Sequence, residues 1–267
     1  MALVSVCLTT SANYTINEYL DGPSDRFHPV KGDRPAALGL LDPRLVMLQY
    51  ILLAASGLGA AYLVNRLFLF ACIALLVMGL IYNVPPLRLK DKAYFDVLTE
   101  SINSPIRFLL GWLIVTANTL PPSSAILAYW MGGAFLMSVK RYAEYRWIGD
   151  PLRAERYRKS FARYTEESLL LSSFFYALCS AFFIAVFLIK YRVEFILTFP
   201  LFAILFGWYL AIGFEHNSAA QAPEKLYRET GFLCFAAFTF VVTCLVLLVD
   251  LPFLRWLAEP QLIAVRF

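Results

Sequence analysis

Apolar residues gather in eight long runs, roughly 1–16, 45–64, 67–83, 97–117, 122–139, 168–189, 194–214 and 230–250. A helix needs about 20 apolar residues to cross a bilayer, and somewhat fewer when flanking side chains snorkel. Each run therefore predicts one spanning helix. The predicted fold is all-α, a polytopic transmembrane bundle of about eight helices in a single domain, 1–267. The polar segments between the runs alternate in kind. Those at 17–44, 84–96, 140–167 and 215–229 are long and charged, whereas those near 65–66, 118–121 and 190–193 are very short.

Composition strengthens this reading. The chain is 60% hydrophobic and only 16% charged, with a mean hydropathy of +0.64. Soluble domains carry nearer 25% charge, so much of this surface must face lipid. The four long segments hold 17 of the 23 Lys and Arg residues, and the opposite side holds five. By the positive-inside rule the long segments lie in the cytosol of an inner or plasma membrane protein. The net charge of +4 is accounted for by this topology and calls for no nucleic-acid partner. Cys7, Cys72, Cys179, Cys234 and Cys244 all sit within apolar runs without a CxxC pair, which argues against a disulfide framework or a zinc site. No basic region precedes Val4–Leu8, so no cleavable signal peptide is expected.

Most carboxylates also belong to the cytosolic segments or their edges, so one face of the bundle carries the ionisable chemistry. Asn13, Asn17, Asp21 and Asp25 recur every four residues, with Glu18 adjacent. On a helix continuing beyond the first apolar run this spacing stacks them on one face. Like charges one turn apart repel unless a cation sits between them. Hard oxygen donors without cysteine suit Mg2+ or Mn2+, which makes Glu18, Asp21 and Asp25 candidate metal ligands. Lys31 and Arg34 follow in a turn-rich loop as candidate phosphate contacts, near Arg26 and His28. The alternative for such a cluster is a solvated helix end.

A basic tract, Lys140-Arg141-Tyr142-Ala143-Glu144, ends the fifth run and leads to Arg158, Lys159, Ser160, Tyr164 and Thr165. Such tracts anchor helices at the cytosolic surface, but this one interleaves hydroxyls with more cations than anchoring needs, which fits multidentate phosphate binding. Tyr82, Pro85, Pro86 and Lys90 mark the turn after the third run. Arg107 lies inside the fourth run, where an ionised side chain is costly. It either faces a polar cavity and pairs with a carboxylate or phosphate, or snorkels to the surface. The stretch from Glu215 and His216 to Arg228 is a weaker candidate for closing the site.

At these residues the chain resembles the UbiA superfamily of intramembrane transferases. Asn17-Glu18-x-x-Asp21-x-x-x-Asp25 and Lys31-x-x-Arg34-Pro35 are similar to its first motif, with Glu18 replacing an aspartate, and Tyr82-x-x-Pro85-Pro86-Leu87 is similar to its Pro-Pro loop. Eight spans with the acidic motif ending the first resemble the family's nine-helix bundle with the first helix absent. Either the true start lies upstream of Met1, or the bundle offsets the loss, for instance as a homo-oligomer. Where aromatic prenyltransferases of the family carry a second acidic motif, this chain has Lys140–Glu144. That departure, with Asp25-Arg26-x-His28-Pro29-x-Lys31, resembles the decaprenyl-phosphate phosphoribosyltransferase branch.

The resemblance implies Mg2+-dependent transfer of 5-phosphoribose from phosphoribosyl pyrophosphate to a polyprenyl phosphate, toward lipid-linked arabinose donors and arabinosylation. It implies catalytic roles for Asp21, Asp25 and Arg107. Substrate contacts would come from Asn17, Arg26, His28, Lys31, Arg34, Lys90, Lys140, Arg141, Glu144, Arg158, Lys159 and Tyr164. Two alternatives stand beside it: prenyl transfer from a prenyl diphosphate to an aromatic or lipid acceptor, and a non-catalytic membrane protein that keeps the fold as a binding partner.

Overall fold

The computed structural model describes residues 1–27, 31–215, 218–221 and 223–254. These residues form ten α-helices: α1 (Ala2–Asp25), α2 (Pro43–Tyr62), α3 (Arg66–Asn83), α4 (Phe95–Ser101), α5 (Asn103–Val115), α6 (Ser123–Ile148), α7 (Pro151–Tyr157), α8 (Glu166–Tyr191), α9 (Phe199–Gly213) and α10 (Thr230–Val246). No β-strand occurs among the described residues. Helix starts follow local chemistry. Asp42 and Asp150 cap α2 and α7 ahead of Pro43 and Pro151, Asn65 caps α3, and Thr165 forms a capping box with Ser168 at α8. Gly149, with a φ of 69°, ends α6 in the left-handed conformation that glycine adopts without strain.

Six of the eight apolar runs form one long α-helix each, and the run at 194–214 opens with a short 3-10 segment, Val193–Thr198, ahead of α9. The run at 97–117 divides instead into α4 and α5 around Ile102. The cause is Pro105, which has no N–H for the Ser101 carbonyl and whose ring crowds that oxygen. α1 continues well past its apolar part to Asp25, carrying the acidic motif on a helix as the four-residue spacing predicts.

Four helical segments are long and apolar enough to cross a membrane: Pro43–Tyr62, Arg66–Asn83, Glu166–Tyr191 and Val193–Gly213. Their outer faces expose large apolar side chains such as Phe70, Phe174, Phe182 and Leu52, a surface that only lipid would cover at low cost. Inside the bundle, contacts use small and hydroxylated residues, as in other membrane helices. Ser5 donates to the Gly57 carbonyl at 2.8 Å, and Ser138, Ser172 and Ser173 join α6 to α8. Phe68, Cys72, Leu75, Leu110 and Leu113 fill the space between α3 and α5. The charged ends of α1, α3 and α6 meet α4, α7 and residues Ser218, Gln221, Lys225 and Arg228 at one end of the bundle, around a cavity.

Candidate functional site

The cavity at this charged end measures about 670 Å³. It is lined by Asn17, Glu18, Asp21 and Asp25 of α1, Tyr82 of α3, Lys140, Arg141 and Glu144 of α6, Tyr157 of α7, and Lys31, Arg34, Lys90, Arg158 and Lys159 from the connecting segments. Among the described residues, ten Lys and Arg side chains around it face six carboxylates, a surplus of four positive charges. Such a surplus suits a ligand bearing several negative charges. Ser218, Gln221, Lys225 and Arg228 form part of the wall, which brings the fourth polar segment to the same site. His28 and His216 lie outside the described residues.

Two networks organise the charges. In the first, Lys90 is buried in the acidic face of α1. Its Nζ donates to Asp21, to Asn83 Oδ1 at 2.8 Å and to Asn17 Oδ1 at 3.5 Å. Arg88 adds contacts to Asp21 at 3.6 Å and Asp91 at 3.1 Å. Arg88 and Tyr94 both adopt positive φ, a strained conformation of the kind that clusters at functional sites. Burial pushes the Lys90 ammonium below its ordinary range, and contact with Asp21 opposes this only in part. Asp25 ends α1 beyond its apolar part and is 3.7 Å from Arg34. Burial raises its carboxyl above the usual range against the pull of Lys31. Lys31 itself donates to the Tyr157 hydroxyl at 2.8 Å.

In the second network Arg141, only 1% exposed, is gripped by Glu100 at 2.5 Å, Glu144 at 2.9 Å and Asp96 at 3.4 Å. Asp96 is held in turn by Ser160 at 3.0 Å and Tyr164 at 2.8 Å, and Tyr82 donates to Glu100 at 2.7 Å. Arg158 leans on Tyr82 at 3.4 Å, while its Nε is buried without a hydrogen-bond partner. Burial alone would lower Arg158, but Tyr82, Tyr157 and the carboxylates of Glu144 and Asp96 raise it well above its ordinary range.

Sequence reasoning did not single out Asp96 or Glu100. The signal was present: the two stand four residues apart on one helix, as Asp21 and Asp25 do, and an arginine within α6 requires carboxylate partners. Several candidates have partners within the protein. Arg141 and Tyr164 are committed to the buried carboxylates, and Thr165 caps α8. Arg26 donates to the Ala37 carbonyl at 2.6 Å, which pins the loop after α1, and does not line the cavity. Lys159 stays largely exposed, 3.8 Å from Asp91.

Arg107 belongs to a second cavity of about 630 Å³ among the membrane helices, lined also by Asn13, Leu75, Leu136, Met137 and Phe232. Among the described residues it makes no ion pair. The two cavities share Tyr14, Asn17, Tyr82, Glu100 and Lys140 as a common wall. A charged chamber thus stands above a more apolar one.

The loop bearing Lys31 and Arg34 rests on Gly22, where an added Cβ would lie 2.5 Å from the Ala36 carbonyl oxygen. Gly22→Ala is expected to destabilise the protein by about 1–3 kcal/mol, read as a lower midpoint in thermal unfolding.

Residues 1–236 match the model of the UbiA prenyltransferase family. The chain belongs to that family. Like other UbiA-family members it is an integral, multi-pass membrane protein and a transferase. It is 30% identical over 145 residues to decaprenyl-phosphate phosphoribosyltransferase of Mycobacterium tuberculosis, covering 54% of this chain and 46% of the relative. The Mycolicibacterium smegmatis protein of the same name is 29% identical over 170 residues, covering 63% and 51%. The chain thus spans about half the length of the curated relatives it matches. A UbiA homolog from Archaeoglobus fulgidus bound to GPP and Mg2+ shares the fold, with a TM-score of 0.66 and 21% identity over 93% of this chain and 87% of that one. The same homolog bound to DMAPP and Mg2+ gives 0.65 at 20% identity, with 93% and 87% covered.

Proposed function

We propose that this UbiA-family protein transfers a 5-phosphoribosyl group from phosphoribosyl pyrophosphate to a polyprenyl phosphate at the cytoplasmic face of the membrane. The observation that carries this reading is the surplus of cations in a chamber joined to an apolar one. The donor brings a diphosphate and a 5-phosphate, and the acceptor brings another phosphate on an apolar tail. A prenyl diphosphate with an aromatic acceptor offers far less negative charge to the same walls. The names of the curated relatives support the reading.

Among the described residues no group of three His, Cys, Asp or Glu side chains forms a ready metal cage. The donor set nevertheless fits Mg2+ or Mn2+, which take one or two protein carboxylates and complete their shell with substrate phosphates and water. Asp21 and Asp25 would hold the ion, with Glu18 beside them. When bound, it supplies charge neutralisation of the leaving diphosphate.

The chain's own residues do the rest. Lys31, Arg34 and Arg158 bind phosphate oxygens in the charged chamber. Lys140, which makes no hydrogen bond or ion pair of its own among the described residues, stands at the common wall where the acceptor phosphate meets the sugar. Arg107, in the wall of the lower chamber, would draw that phosphate toward the sugar. The bond from ribose C1 to the diphosphate oxygen breaks and a bond from C1 to a lipid phosphate oxygen forms, with pyrophosphate leaving. The attacking oxygen is already anionic, so no strong general base is required. Alignment of the two substrates contributes much of the acceleration.

Membranes containing the protein are expected to move label from phosphoribosyl pyrophosphate into a lipid extract only when polyprenyl phosphate is added. Consumption of a prenyl diphosphate in place of the labelled donor would support the second reading, which the ligands of the Archaeoglobus fulgidus homolog favour. Absence of labelled lipid from well-expressed protein would overturn the phosphoribosyl reading.

A further inference from the structure

The acidic face of α1 already contains a cation. Lys90 Nζ has three protons to donate and meets three oxygens, from Asp21, Asn83 and Asn17. The residue is only 4% exposed. Its partners fall on α1 and α3, so the ammonium bridges these helices in the wall of the charged chamber.

A divalent ion on the Asp21 carboxylate would lie against this ammonium, and the two positive charges would repel at close range in a poorly solvated pocket. The ammonium and the ion compete for the same carboxylate, and repulsion between them favours a state in which Lys90 has moved away. Its four-carbon stem is flexible, and the chamber it borders is the place where an anion accompanying the ion would sit.

We propose that Lys90 is a resident counter-ion of the acidic motif: it neutralises Asp21 until a divalent ion displaces it, and the displaced ammonium then grips the phosphate that arrives with the ion. This rests on the divalent-ion reading above. It gives Lys90 two opposite effects. It weakens binding of the bare ion and strengthens binding of the ion together with its anion.

The test is Mn2+ binding to the full chain in detergent, followed by electron paramagnetic resonance, with and without inorganic pyrophosphate. Lys90→Met is expected to bind Mn2+ alone at least tenfold more tightly than the unaltered protein, and to bind pyrophosphate in the presence of Mn2+ several-fold more weakly. Lys90→Gln removes the charge but keeps a donor for Asn83, and should show the same pair of changes if Lys90→Met fails to fold. Asp25→Asn identifies the site by reducing Mn2+ binding in every background. Equal Mn2+ affinity with and without Lys90, in protein whose binding Asp25→Asn weakens, would overturn the counter-ion role and leave the metal reading standing. Unchanged pyrophosphate affinity in the Lys90 variants would overturn the transfer of the ammonium to the anion. No saturable Mn2+ binding in any variant would overturn the metal reading and this inference with it.

Discussion

Arg141→Met is expected to give a protein that unfolds at a markedly lower temperature and transfers no sugar phosphate. The guanidinium is almost wholly buried and ties Asp96 and Glu100 of α4 to Glu144 of α6. Its removal leaves three carboxylates in one poorly solvated site. Breaking a buried ion pair from one side costs about 3–5 kcal/mol, because the partner is stranded. Arg141→Lys retains the charge but lacks the planar fork that reaches several acceptors at once, so an intermediate midpoint is expected. Adding Glu144→Gln to Arg141→Met should restore part of the lost stability. Thermal unfolding at a fixed scan rate checks all three variants. An unchanged midpoint for Arg141→Met would show that the network does not bind α4 to α6.

The second large effect concerns Asp25. Asp25→Asn keeps the shape of the side chain and removes one of the two carboxylates proposed to hold the ion. Loss of several kcal/mol of charge stabilisation corresponds to a rate lower by about 10³-fold. Stability should change little. The Asp25 contact to Arg34 is 3.7 Å long and Arg34 is half exposed, and such pairs contribute about 1 kcal/mol or less. Initial rates across a range of Mg2+ concentrations, alongside thermal unfolding, separate the two quantities. A rate within threefold of the unaltered protein at saturating Mg2+ would remove Asp25 from the proposed machinery.

Much of the architecture was legible in the order of the residues. Apolar runs gave the spans, because a bilayer requires an uninterrupted helix of fixed length. The four-residue spacing of Asn13, Asn17, Asp21 and Asp25 gave a shared helix face, and α1 does continue to Asp25. The break near Ile102 was legible only through Pro105, whose effect on the carbonyl four residues earlier is local. What could not be read was which cations remain able to meet a ligand. Lys90 lies 69 residues from Asp21 and Arg141 lies 41 from Glu100, so their pairing exists only once the helices have packed. For the same reason Arg141 and Lys140, neighbours in one basic tract, end in different environments: one is locked among carboxylates, and the other borders both chambers.

The common wall of Tyr14, Asn17, Tyr82, Glu100 and Lys140 bears on how the proposed reaction must be measured. One reactant dissolves in water and the other in the bilayer, so their concentrations belong to different phases. The half-saturating amount of the water-borne reactant is an ordinary molarity. That of the lipid-borne one is a mole fraction, and diluting it with inert lipid or detergent at constant volume would slow the enzyme as surely as removing it.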